Sequence, residues 1–234
     1  MRPGLSTLRA VPMFERLDAG LLNQLDAISE FVRVDPQAVL CVQGEAPAVL
    51  HILMEGQAAL SATASDGSHT VVEVVHPVSS FVLAAVLTEL PYLMTATAIT
   101  ACRVLTIRAP ALRALVRTEH SMALALLGAV SRDFRAMVRL VRDLKLRTAA
   151  QRLGCYLIAL VDDDRADNAR LRLPFEKGLL AARLGCRQDS LSRAFATLRE
   201  VGVETHGLTV VLHDISRLRA FAMPDELSDA PLPG

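Results

Sequence analysis

Hydrophobic and polar positions follow three different periods along the 234-residue chain. Between about residue 30 and residue 108, short runs rich in β-branched residues alternate with turn sequences such as Asp66-Gly67. That pair favours a hairpin, because tight primed turns need positive φ. Regularly spaced short strands predict a sandwich or β-roll. The preceding residues 15–32 predict a helix with Leu17, Leu21, Leu22, Leu25 and Ile28 on one side.

A seven-residue period replaces the strand pattern between about residues 111 and 147. Its apolar residues are spaced three and four apart, like the a and d positions of a coiled coil. They are Leu127, Val130, Phe134, Met137, Val141 and Leu144. The alternative is an amphipathic helix packed on its own domain. A seam of about three heptads between two predicted domains favours a dimerisation helix instead.

The last third of the chain has the order of a winged helix-turn-helix. A short strand at 170–174 precedes a helix at 174–185, which Pro174 opens and Gly185 ends. A second helix follows, and then two strands around a His206-Gly207 turn. The stretch "VDDDRADNAR" at 161–170 could hold a metal, but consecutive loop aspartates without other ligands favour a solvated loop.

One face of the second helix is apolar and the others are polar. Leu191, Phe195 and Leu198 recur at i, i+4 and i+7, so they share a face.

The three periods along the chain divide it into a sensor domain at 1–118, a dimerisation helix at 119–147, a winged helix-turn-helix at 148–222 and a flexible tail at 223–234.

Charge changes this picture only in the second helix. The 25 Lys and Arg residues balance the 25 Asp and Glu residues, so the whole chain does not indicate a nucleic acid. Between Arg183 and Arg199, however, four arginines accompany one acid, Asp189, which is the local excess that phosphate binding requires. A solvated helix face with incidental charges is the alternative. The candidate DNA contacts are Arg187, Gln188, Asp189, Ser192 and Arg193.

These side chains suit the edges of DNA bases. Arg193 offers a planar fork that matches guanine O6 and N7, and Asp189 can accept a hydrogen bond from cytosine N4. Gln188 can pair with adenine or with phosphate. The polar helix face therefore predicts a partner in double-stranded DNA.

Several classes of protein are disfavoured by what the sequence lacks. It has no apolar signal segment and no uncharged window of about 18 residues, so we expect a cytoplasmic protein without a membrane partner. Its four cysteines form no CxxC pair, which disfavours zinc, an iron–sulfur cluster and a disulfide framework. No nucleophile elbow, Walker loop, HExxH or dinucleotide fingerprint is present, so we expect no enzyme.

Two stretches resemble the Crp/Fnr family of bacterial transcription regulators. "LAARLGCRQDSLSRAFATLREVGV" is similar to the family's helix-turn-helix. "VQGEAPAVLHILMEGQAALSATASDGSHTVVEVVHP" resembles its β-roll sensor domain, with Gly44, Gly56 and Gly67 in matching places. The resemblance covers about residues 13–222. It implies an α+β fold with an N-terminal β-roll, a long dimerisation helix and a C-terminal winged helix-turn-helix.

The resemblance also implies a function. Such a protein would bind a palindromic promoter site as a homodimer and contact RNA polymerase. The family's Glu, Ser and Arg contact positions become Asp189, Ser192 and Arg193. The Glu-to-Asp departure shortens the reach to cytosine by one methylene. It therefore keeps open a sensor protein that retains the fold without binding DNA.

The sensor stretch departs from the family's cyclic-nucleotide binders. Their Gly-Glu pair binds ribose and their Arg-Ser or Arg-Thr pair binds phosphate; the matching positions are Leu83-Ala84 and Met94-Thr95. Without its arginine, a cyclic phosphate in an apolar pocket loses its charged partner, which disfavours cAMP and cGMP. The oxygen-sensing relatives use an N-terminal cysteine cluster, whereas the first cysteine here is Cys41. We expect an apolar effector pocket lined by Leu83, Ala84, Val86, Leu87 and Met94.

Part of the chain is similar to the Dnr/Nnr branch, the regulators of nitrogen-oxide respiration. The similar stretches are "LTELPYLMTATA" and "SMALALLGAVSRDFRAMV", and they imply a haem that senses nitric oxide in a hydrophobic cavity. Haem needs an axial ligand, and the candidates are His51, His76 and His120, each also explained as a surface or core histidine. The carbon-monoxide-sensing relatives use a histidine where this chain has Ala84. Another small apolar effector, or none, is the alternative.

Overall fold

The computed structural model describes residues 1–161, 166–173 and 177–225. Pro174, the three consecutive aspartates Asp162–Asp164 of the predicted acidic loop, and residues 226–234 of the predicted tail lie outside these ranges. The chain divides into two compact units, Met1–Phe134 and Arg135–Pro233. No described helix has both the length and the apolar composition needed to span a bilayer.

The first unit contains eight strands and four helices, as well as the first part of a fifth helix. The strands are β1 (Ser29–Val34), β2 (Val39–Cys41), β3 (Val49–Glu55), β4 (Ala58–Thr63), β5 (His69–Val75), β6 (Ser79–Phe81), β7 (Thr95–Ala98) and β8 (Cys102–Arg108). The helices are α1 (Leu5–Arg9), α2 (Ala19–Ala27), α3 (Leu83–Thr88), α4 (Ala109–Thr118) and α5 (His120–Leu146).

The eight strands form two antiparallel sheets that enclose a core. Their orders are β1-β8-β3-β6 and β2-β7-β4-β5. Leu53 and Phe81 from the first sheet pack with Leu60 and Ala96 from the second. Leu50 and Ile52 on β3 face the opposite side of the sheet from Leu53 and pack with the helices. The predicted β-roll is confirmed.

One predicted turn in the first unit is confirmed, and the bounds of one predicted helix are wrong. The Asp66-Gly67 hairpin is confirmed: Gly67 has φ 82° and joins β4 to β5. The helix predicted over 15–32 is too long at both ends. Asp18 caps α2 by accepting from the Leu21 amide at 2.9 Å, so Leu17 precedes the helix. Residues Ser29–Val34 pair with β8 and form the edge strand β1 of the first sheet, so the helix ends before them.

The second unit is a small helical domain with one sheet. Its further helices are α6 (Ala149–Ala159), α7 (Lys177–Arg183), α8 (Gln188–Arg199) and α9 (Ile215–Ala222). The strands β9 (Ala169–Arg172), β10 (Val203–His206) and β11 (Thr209–Leu212) form a sheet in the order β10-β11-β9. The predicted hairpin around Gly207 is confirmed, and α7, α8 and the hairpin follow in winged helix-turn-helix order.

Candidate DNA-binding surface and sensor interior

The apolar face of α8 anchors the predicted recognition helix. Leu191, Phe195 and Leu198 are buried in the core of the second unit, as their spacing predicts. The helix begins after Arg187, whose carbonyl accepts from the Leu191 amide at 2.9 Å. Burial of this face fixes which side of α8 is presented to solvent.

The five predicted contact residues all lie on the exposed part of α8 and its N-terminal cap. They are Arg187, Gln188, Asp189, Ser192 and Arg193. Arg193 Nη2 donates to Ser190 Oγ at 3.3 Å, a weak bond that a base or phosphate can replace. Within the described ranges, Asp189 forms no hydrogen bond or ion pair. The surface therefore presents a carboxylate acceptor at Asp189 and, at Arg193, a donor that is held only weakly.

The turn between α7 and α8 is held by a residue that the sequence analysis missed. Arg152 on α6 is only 8% exposed. Its Nε donates to the Leu184 carbonyl at 2.9 Å, and its Nη1 donates to the Arg147 carbonyl at 2.8 Å. An arginine inside the apolar run of α6 is the signal that could have identified it.

The turn between α7 and α8 makes a second contact, at Gly185, where the absence of a side chain lets Leu144 approach. Gly185, in the turn, has φ 59°, and a Cβ built there would lie 2.5 Å from Leu144 Cδ2. The turn thus lies directly against the last turn of α5. Leu144, predicted as a seam residue, is partly engaged within its own chain.

The predicted seam on α5 is largely uncovered. Leu127, Phe134 and Met137 are 61%, 65% and 64% exposed, and Val141 and Leu144 are also exposed. Val130 differs, because it packs against the core of the first unit. Large apolar side chains exposed in a row are typical of an interface.

The predicted effector-pocket residues do not lie together, and this corrects the expectation of one shared lining. Leu83 and Val86 are buried in the core between the first sheet and the helices, and Leu87 packs against that core. Met94 packs instead against the core between the sheets, and Ala84 is exposed. A helix turns by about 100° per residue, so consecutive residues of α3 cannot face one cavity.

Val82, the N-cap of α3, and Ala85 within α3 pack against the core between the sheets, as Met94 does. Val82 also has φ 60°, the left-handed conformation that glycine favours. The match of the family's Gly-Glu pair to Leu83-Ala84 stays a prediction from the resemblance. Val82 and Ala85 provide only apolar contacts to this interior.

Of the three candidate haem ligands, only His51 is buried. It is 4% exposed, and its Nδ1 has no hydrogen-bond partner. Its ring stacks on Phe81, with the centroids 5.3 Å apart. Burial lowers the pKa of the His51 imidazole from 6.5 to about 4, so the ring is neutral at pH 7. His76 is half-buried, whereas His120 is exposed.

Other chemistry is sparse in the described structure. No three His, Cys, Asp or Glu side chains within residues 1–161, 166–173 and 177–225 form a metal-binding group. The four cysteines are free thiols. Burial raises the pKa of the Cys41 and Cys186 thiols, which makes both poor nucleophiles.

Two family models match the chain in the order of its units. The cyclic nucleotide-binding domain matches residues 31–119, and the Crp-like helix-turn-helix domain matches residues 151–221. No curated protein matches the sequence.

Solved structures match over most of the chain. A proposed cyclic nucleotide binding protein from Ruegeria pomeroyi is 29% identical with a TM-score of 0.62, over 94% of this chain and 97% of that one. DNR from Pseudomonas aeruginosa is 26% identical with a TM-score of 0.51, over 92% of this chain and 95% of that one. The c-di-GMP responsive regulator CLP of Xanthomonas campestris is 20% identical and shares the fold, with a TM-score of 0.67 over 84% and 99% of the two chains. A β-roll, a long helix and a Crp-like helix-turn-helix in this order show that the chain belongs to the Crp/Fnr family of transcription regulators.

Proposed function

We propose that the chain is a cytoplasmic, sequence-specific transcription regulator that binds a two-fold symmetric promoter site as a homodimer. The observation that carries this proposal is the exposed polar surface of α8, from Arg187 to Arg193, on a helix whose other face is anchored. In helix-turn-helix proteins this part of the second helix enters the major groove. Its arginine fork and carboxylate match the two edges of a G·C pair.

Dimerisation follows from the exposed seam of α5. Two copies that pair along Leu127, Phe134 and Met137 would bury apolar surface that one chain leaves in water. A contact of the same face on both copies is two-fold symmetric, so the DNA site is expected to be an inverted repeat. Half-sites about 34 Å apart would receive the two recognition helices. RNA polymerase is the further partner that family membership suggests.

Selection of DNA from a random duplex library tests this proposal. The purified protein should enrich inverted repeats whose half-sites are centred about one helical turn apart. Enrichment of no sequence would refute DNA-specific regulation and favour a sensor that retains the fold. Enrichment of a single half-site by a monomer would refute the homodimer.

The sensor interior favours an effector other than a cyclic nucleotide. Val82, Ala85 and Met94 provide only apolar contacts there, and none supplies the cation that a cyclic phosphate requires. An effector acts only if it binds one of two states better, which then changes the population competent for DNA. Addition of cAMP or cGMP should therefore leave the affinity for the selected site unchanged. A shift in that affinity would refute this part of the proposal.

Haem is the second candidate, and His51 is the residue that favours it. A neutral, buried imidazole with an unpartnered nitrogen in an apolar interior has the chemistry of an axial haem ligand. Bound haem would supply an iron that binds nitric oxide. Iron would bind the in-plane lone pair of an imidazole nitrogen, which the Phe81 ring stacked on the face of His51 does not cover. Both side chains are buried, so the surrounding side chains would have to move for a haem to enter.

Haem titration of the purified protein separates the candidates. A saturable Soret band with one haem per chain, lost in His51→Ala and retained in His76→Ala and His120→Ala, would support haem at His51. No saturable band would refute haem and favour another apolar effector or an effector-independent regulator.

A further inference from the structure

The buried guanidinium of Arg152 lies between the ends of two helices. Leu184 directly follows α7, and Arg147 directly follows α5. The last carbonyls of a helix have no partner within it and carry the negative end of its dipole. Arg152 donates to one such carbonyl at each end. One cation thus satisfies two helix termini at once.

The Arg147 end of this connection is itself held in place. Its side chain forms an ion pair with Asp143 at 2.9 Å and donates to the Met223 carbonyl at 3.1 Å. The carbonyl that Arg152 uses therefore belongs to a fixed segment. All of these residues lie within the second unit, which also contains the C-terminal part of α5.

The turn of the helix-turn-helix is attached to α5 at a second point. Leu144 occupies the space where a Cβ of Gly185 would lie, one residue after the carbonyl that Arg152 binds. A single contact would let the turn rotate about that point. The polar contact of Arg152 and the apolar contact of Leu144 together fix the orientation of the turn. The turn before α8 is therefore fixed against the helix that carries the proposed seam.

We propose that Arg152 is a positioning residue for DNA binding: it fixes the helix-turn-helix turn against the end of α5 and thereby sets how each recognition helix is presented on the dimer. This inference rests on the proposed homodimer. Arg152 contacts no DNA in this scheme. It acts on the spacing between two recognition helices, so its effect appears only when both half-sites are read together.

Arg152→Lys is the most informative variant. Lysine keeps the positive charge. Its single ammonium group cannot reproduce the planar guanidinium geometry with which Arg152 donates to two carbonyls. Arg152→Gln, which removes the charge, is the second variant. Arg217→Lys is the control, because Arg217 is an exposed arginine in the same unit. Urea unfolding of each variant reports whether it folds.

The binding test compares three duplexes: the inverted repeat selected by the wild-type protein, its isolated half-site, and the repeat with one base pair inserted at its centre. Arg152→Lys should bind the full repeat about 10- to 100-fold more weakly, the size expected for losing a buried charged hydrogen bond. Its half-site affinity should stay within about threefold, since the α8 surface is intact. It should also lose the wild-type preference for the original spacing.

Four results would overturn the inference. Wild-type spacing preference in both folded variants would show that Arg152 does not position the helices. Equal losses at full and half sites, or unfolding of both variants, would give Arg152 a purely structural role. If the wild-type protein itself does not prefer the full repeat to its half-site, the homodimer proposal fails and this inference fails with it.

Discussion

Replacement of Arg193 by alanine should separate specific DNA binding from folding. Arg193 is exposed, and among the described residues its side chain donates only to Ser190, at 3.3 Å. The free energy of unfolding should therefore change by less than about 0.5 kcal/mol. A bidentate arginine–guanine contact discriminates by about 1–3 kcal/mol. A homodimer loses it twice, so the affinity for the selected site should fall by about 2–6 kcal/mol, or roughly 30-fold to 10⁴-fold.

The assay is a fluorescence anisotropy titration with the selected and a scrambled duplex at one fixed salt concentration, because salt alone changes such affinities. Arg199→Ala is the matched control: it removes the same charge from the same helix, six residues or about 9 Å farther along its axis. Arg199→Ala should weaken both duplexes alike, whereas Arg193→Ala should weaken chiefly the selected one. Sedimentation must show an intact dimer in both. Unchanged sequence preference in Arg193→Ala would refute the assignment of this residue to base contact.

Three other predictions concern the seam, the turn and the sensor interior. Phe134→Arg puts two charges into the proposed dimer contact and should raise the dissociation constant of the dimer at least about 100-fold in sedimentation; a wild-type value would place the interface elsewhere. Gly185→Ala imposes a Cβ at φ 59° against Leu144 and should lower the free energy of unfolding by about 2 kcal/mol in urea titrations, an effect absent if the turn is free to move. Because the folded pKa of His51 lies below the unfolded value of 6.5, its stabilising contribution is complete above pH 6.5 and is lost as the pH falls through about 4. The ligand-free wild type should lose about 3 kcal/mol more than His51→Leu between pH 7 and the acid limit, and parallel curves would contradict a buried neutral imidazole.

Local sequence patterns predicted the structure correctly where a short stretch of sequence alone determines it. The glycine of the β4–β5 hairpin and the apolar face of α8 each follow from short stretches of sequence. The bounds of α2 did not, because they depend on a cap at Asp18 and on the pairing of Ser29–Val34 with a strand some seventy residues later. Pairing partners that distant are not visible in a local pattern.

Of the candidate functional residues, those on the DNA-binding surface could be predicted from the sequence, whereas those of the sensor interior could not. The exposed DNA-contact residues could be predicted, because a helix that buries Leu191 and Phe195 must present its other faces. The effector residues could not, because the direction of each side chain on α3 depends on the left-handed residue Val82 that starts the helix. His51 gave no signal of its burial beyond an apolar neighbourhood, and its stacking on Phe81 joins strands that are separated in sequence.

The connection made by Arg152 ends on main-chain oxygens of Arg147 and Leu184, and every amino acid supplies such an oxygen. The acceptor atoms are therefore present whatever the side chains at these two positions are. Substitutions there need no compensating change at position 152. Methods that find contacts through correlated substitutions would see no coupling among these three positions, although they are joined in the folded protein.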